Sequence, residues 1–135
     1  MNIADLPRIS EARIELEGYG ARLAAERADA REHIRMQELI AELKRLRSTI
    51  DNTELIRIDQ KVHLQIYQTT HNYYLIRTLE QYYNLSSRIW FLVLLTVARV
   101  MDAIQEHHEL LHLILLRDGS TCRTANLTTN CTISR

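Results

Sequence analysis

Residues 105 to 113, QEHHELLHL, contain His108-Glu109-Leu110-Leu111-His112, an H-E-x-x-H pentad. On a helix this spacing sets two imidazoles one turn apart to hold zinc, with a carboxylate between them as general base, the arrangement of zinc peptidases. Such chemistry needs a third ligand, usually a downstream Glu or His, and the chain after His112 contains neither. Asp118 would serve in one Asp-ligand variant, but that variant turns its backbone on a Gly where this chain has Leu115, and LHLILLR continues as helix. The pentad therefore reads as accidental, with His108 and His112 on a helix margin. An H-E-x-x-H zinc peptidase stands as the enzymatic alternative.

Polar residues that fall on apolar helical stripes point elsewhere. At about 100° per residue, Val100, Ile104, Leu111 and Ile114 define one stripe, and His107 lies near its middle. Further back, Asp59 lies about 40° from the line through Leu55, inside the stripe of Ile58, Val62 and Ile66, with His63 one turn later at its edge. Arg57, Lys61 and Gln68 occupy the opposite, solvated side. Burying a carboxylate costs several kcal/mol unless it is paired or ligates a metal, so Asp59 needs a partner. Asp59, His63 and His107 offer an O,N,N donor set suited to zinc, nickel or a similar divalent ion. The plainer alternative is an i,i+4 hydrogen-bonded pair beside a packed core histidine.

These residues require helices to position them. The first is expected from Ser10, as cap, to about Ala28, with Gly18 and Gly20 marking either close approach of another element or simple tolerance. A second spans about residues 30–50 with Leu39, Leu43, Leu46 and Ile50 on one face. A third spans about 54–70, and THNYY breaks it, with Asn72 as N-cap of a fourth that carries Leu75, Leu79, Tyr82, Ile89 and Leu92. A fifth spans about 100–117 and ends at Asp118-Gly119. The polar tail, residues 119–135, carries a final helix only as a weak expectation.

At 135 residues the chain is long enough for one domain with a real core. Hydrophobic residues make up 46%, against three Gly and one Pro, which favours a compact helical domain. Lys+Arg and Asp+Glu balance at 17 each, so the chain lacks the basic excess of a nucleic-acid-binding module and would reach DNA only through another domain. Cys122 and Cys131 match no Cys-x-x-Cys spacing and read as reduced cytoplasmic thiols. No secretory signal opens the chain, and the apolar run Ile89 to Ala98 is half of what a membrane span needs. The N-x-S/T triplets at Asn84, Asn126 and Asn130 therefore read as coincidental.

Three segments in order, ISEARIELEGYGARLAAERA, IRIDQKVHLQIYQTTHNYYL and AIQEHHELLHLILLRDG, resemble the C-terminal effector domain, FCD, of the FadR subfamily of GntR transcription regulators. That family opens with E-x-R-x-x-L-E-x-x-A-A-x-L-A-A, to which Glu11, Arg13, Leu16, Glu17, Ala21, Leu23 and Ala24 correspond with small shifts. Its D-x-x-x-H helix corresponds to Asp59 and His63, and its E-H-x-x-I-L segment to Glu106, His107 and Leu111, with Asp118 beyond.

The resemblance implies an all-α antiparallel bundle of about six helices that forms a homodimer in the cytoplasm and binds a small carboxylate beside a divalent metal held by Asp and three His. Carried over, the metal ligands are Asp59, His63 and His107. The fourth ligand falls near Thr129 or Asn130, where Asn130 offers only a weak oxygen donor. Arg88 and Arg13 are the candidate cations for an effector carboxylate, Arg88 having a surface role as its plainer reading. Some relatives bind acyl-CoA without a metal, and a purely dimerising bundle is a further alternative. On this reading residues 1–9 are the remnant of a linker to a winged-helix DNA-binding domain, and residues 10–135 form the effector domain.

Overall fold

The computed structural model describes residues 3–46, 52–93 and 97–117. After a short 3-10 turn, Ile3–Asp5, come α1 (Leu6–Arg27), α2 (Ala30–Leu46), α3 (Asn52–Thr69), α4 (Tyr73–Val93) and α5 (Val97–Leu115). There is no strand among the described residues, in line with the expected all-α class. Asn130, Thr129, Cys122, Cys131, Ile50, Asp118 and Gly119 lie outside the described residues, as do the side chains of residues 89–93 and 97–104. None of the described helices is long and apolar enough to cross a membrane.

Local chemistry accounts for the ends of the elements. α1 starts before the expected Ser10 cap because Pro7 sits in its first turn, where a missing N–H is tolerated and a fixed φ fits the helix. Asp5 holds the cap position without a side-chain capping hydrogen bond. Between α1 and α2, the Glu32 amide donates to Asp29 Oδ1 at 2.8 Å and the Asp29 amide donates to Glu32 Oε2 at 2.9 Å. This reciprocal pair is a capping box at the start of α2. Between α3 and α4, His71 takes a positive φ of 52°, and Asn72 Oδ1 accepts from the Leu75 amide at 3.2 Å as the expected N-cap. Two arginines satisfy carbonyls left open at helix ends, Arg27 Nη1 donating to Thr70 O and Arg117 Nη2 to Ala28 O, both at 2.7 Å.

α1 packs against α3, α4 and α5, while α2 covers α3 and α5. One core cluster joins Ala21, Ala24 and Ala25 of α1 to Met36 and Leu43 of α2, Ile58 and Val62 of α3, and Leu111 and Ile114 of α5. A second joins Leu23, Tyr67, Leu75, Leu79 and Tyr83 where α1, α3 and α4 meet. The small residues of α1 permit this central position: a Cβ added at buried Gly20 would stand 3.2 Å from Leu79 Cδ1, so the close-approach reading of that glycine holds. On α4 the buried aromatic is Tyr83, not the expected Tyr82, which is half-buried.

Candidate metal centre

Asp59, His63 and Tyr67 lie four residues apart on α3, one above the next on a single face. α1 sets Arg13 and Glu17 against that face, α4 adds Tyr83, and α5 adds His107. His107 Nε2 is 3.1 Å from His63 Nε2 and 3.3 Å from Asp59 Oδ1, and His63 Nε2 is 3.5 Å from the same carboxylate oxygen. Both imidazoles are buried, at 5% and 2% exposure, whereas the Asp59 side chain is 34% exposed. Asp59, expected off the solvated face, is half-buried and lines the open side of the cluster. Its need for a partner is met by the two histidines and by Tyr83, whose hydroxyl donates to Asp59 Oδ2 at 2.8 Å.

Around these three donors runs a layer of polar groups. Arg13 Nε donates to Glu17 Oε1 at 2.9 Å, and its guanidinium lies 5.3 Å from the Tyr83 ring centroid. The Tyr67 hydroxyl makes a short hydrogen bond to the same Glu17 oxygen, and His63 Nδ1 is 3.5 Å from both Glu17 Oε1 and the Tyr67 oxygen. Burial opposes the charge of Arg13, but Glu17, Tyr67 and Asp59 outweigh it and hold the guanidinium protonated. Burial likewise opposes the charge of Asp59, yet His63, His107 and Tyr83 keep its carboxyl below the usual range. His107 moves down to about 4, chiefly through burial, with the Asp59 charge opposing the shift. It is neutral at physiological pH.

This donor set fits a divalent ion. Nitrogen and oxygen ligands at about 2.0–2.2 Å from zinc stand roughly 3–3.5 Å from one another, the separation found among Asp59 Oδ1, His63 Nε2 and His107 Nε2. A neutral His107 has a nitrogen lone pair to offer, and the outer carboxylate and hydroxyls are of the kind that orient metal-bound imidazoles.

Other expected residues lie elsewhere. His108 is half-buried and His112 exposed on α5, their rings 4.6 Å apart, and Glu109 is exposed with its carboxylate accepting from Gln105 Nε2. No third metal-type donor joins them among the described residues. Asp29, Glu32 and His71 also come together, but there the carboxylates are engaged in the capping box and in the contact of Glu32 with His71 Nε2 at 2.8 Å. Of the two candidate cations, Arg13 lies within the cluster and Arg88 is exposed on α4.

Tyr67 and Tyr83 are not among the expected site residues, and Glu17 is expected only as part of the family's opening motif. The stripe test applied to α1 would have found Glu17, since positions 13, 17, 20, 21 and 24 share one face at about 100° per residue. That face is otherwise made of Gly and Ala.

The described fold is all-α, and comparison with known proteins gives its family. The FCD domain model matches residues 8–128, so the chain belongs to the FCD domain family, the effector-binding domains of GntR-type transcription regulators. Membership of that family points to a regulatory domain, which argues against the peptidase reading of the pentad. The solved structure of E. coli McbR/YncC is similar in fold, with a TM-score of 0.79 at 23% identity over 98% of this chain. The chain spans 65% of the length of that structure. No curated protein matches.

Proposed function

We propose that the chain is the effector-sensing and dimerisation domain of a FadR-type regulator, taking a small carboxylate metabolite beside a divalent metal. The convergence of Asp59 Oδ1, His63 Nε2 and His107 Nε2 within 3.1–3.5 Å carries this reading. A bound zinc or nickel ion would supply a Lewis-acidic position for an effector carboxylate oxygen. Asp59, on the exposed side, leaves the centre approachable from solvent. Arg13, held charged inside the cluster, is the cation closest to hand for an effector carboxylate, with Arg88 on α4 as the outer candidate.

In this reading residues 1–9 continue a linker from a winged-helix DNA-binding domain, residues 10–135 form the sensing domain, and the whole acts as a cytoplasmic homodimer. An effector controls DNA contact by binding one arrangement of the two attached domains more tightly than the other. Asn130 is the weak candidate for a fourth ligand.

The test is direct. Chelator-treated chain dialysed against zinc or nickel should retain one ion per chain by elemental analysis, and His107→Ala should lose it. No stoichiometric ion in the wild type, or unchanged binding in His107→Ala, ends the metal reading. Small carboxylates should then raise the melting temperature of the metal-loaded chain. A chain that responds to no small acid and no acyl-CoA would be a dimerising module alone.

A further inference from the structure

The hydrogen-bonding capacity of the groups around His63 determines which of its nitrogens carries the proton. Tyr67 has one hydroxyl hydrogen, engaged in the short bond to Glu17 Oε1, so toward His63 its oxygen can only accept. Glu17, paired with Arg13 at 2.9 Å, is a carboxylate and also only accepts. Both neighbours of His63 Nδ1, each at 3.5 Å, are therefore acceptors. A buried imidazole nitrogen facing two acceptors is satisfied only by carrying the hydrogen.

From this we infer that Glu17 and Tyr67 are positioning residues that hold His63 as the Nδ1–H tautomer and so present its Nε2 lone pair to Asp59 and His107. α1 thereby takes part in the metal centre without supplying a ligand. The consequence for His107 is asymmetric. With His63 Nε2 and Asp59 Oδ1 both acceptors, 3.1 and 3.3 Å from His107 Nε2, the metal-free cluster places a hydrogen on His107 Nε2. His63 is preset for a metal, and His107 must move its hydrogen to Nδ1 before it can ligate.

The metal consequence rests on the proposed function, whereas the tautomer can be read without any metal. Long-range proton–nitrogen NMR of the metal-free full chain should show His63 as Nδ1–H and His107 as Nε2–H. In the Glu17→Gln/Tyr67→Phe double variant His63 should lose its single form, and zinc affinity should fall about 10–100-fold. Glu17→Gln alone, which keeps a neutral carbonyl acceptor, should lose less. His63 found as Nε2–H in the wild type overturns the inference, whether or not the double variant folds. So does zinc binding of equal strength in wild type and double variant. A wild type that binds no zinc but shows His63 as Nδ1–H would end the metal reading and leave the tautomer assignment standing.

Discussion

Tyr83 donates its hydroxyl to one oxygen of Asp59, Oδ2, at 2.8 Å, while the other, Oδ1, faces His63 and His107. α4 thus orients a carboxylate of α3 toward a histidine of α5. Burial together with the Asp59 charge pushes the Tyr83 hydroxyl up, so it remains a donor throughout the physiological range.

Tyr83→Phe removes this orienting hydrogen bond at nearly constant volume. A hydrogen bond to a charged group contributes about 1.5–3 kcal/mol, and the partial exposure of Asp59 puts the expected loss of stability at the lower end. Denaturant unfolding checks that loss. Zinc affinity, measured by competition with a chromophoric chelator, should fall by about tenfold.

His107 makes the metal-free domain acid-sensitive. Its ordinary value is 6.5 and burial takes it to about 4 in the folded chain, so between these values the unfolded chain binds a proton that the folded chain does not. Its contribution is therefore complete above pH 6.5 and is lost as the pH falls toward 4, by up to roughly 3 kcal/mol. Unfolding free energies measured at a series of pH values in the presence of chelator should show this slope, and His107→Leu should flatten it.

Gly20 marks a close approach of α1 to α4. Valine there adds two methyls beyond a Cβ that would already stand 3.2 Å from fully buried Leu79. Gly20→Val should destabilise the domain by about 1–3 kcal/mol through overpacking, seen as a lower denaturant midpoint. An unchanged midpoint would mean that Leu79 repacks freely.

The H-E-x-x-H pentad should be dispensable. Glu109 and His112 are exposed on α5, and surface substitutions usually stay within about 0.5 kcal/mol. Glu109→Gln and His112→Ala should leave stability and zinc stoichiometry at wild-type levels. Loss of the ion in either variant would return the pentad to the metal site.

Much of the architecture was legible in the chain itself. Apolar spacing located the five α-helices of the described residues, the Asn72 cap sat where its side chain could accept an amide hydrogen, and His107 stood out from its two neighbours because only it fell in the middle of a stripe. These are properties of a single helix, set by the 100° advance per residue and by local hydrogen bonding. Where local chemistry had a second solution the expectation moved: Pro7 started α1 before Ser10, and the α4 face rotated enough to bury Tyr83 in place of Tyr82.

The makeup of the site's outer layer was decided only in three dimensions. Glu17 and Tyr67 are fifty residues apart and share a hydrogen bond, and Tyr83 reaches Asp59 across twenty-four. One-dimensional periodicity can say that a carboxylate faces inward, but which donor neutralises it depends on how neighbouring helices are packed and rotated. The sequence by itself thus determined the helices and the three inward-facing ligand candidates. Packing alone decided that Asp59 keeps one side to solvent and that α1 surrounds His63 with acceptors, because small residues such as Gly20 let that helix come close enough to do so.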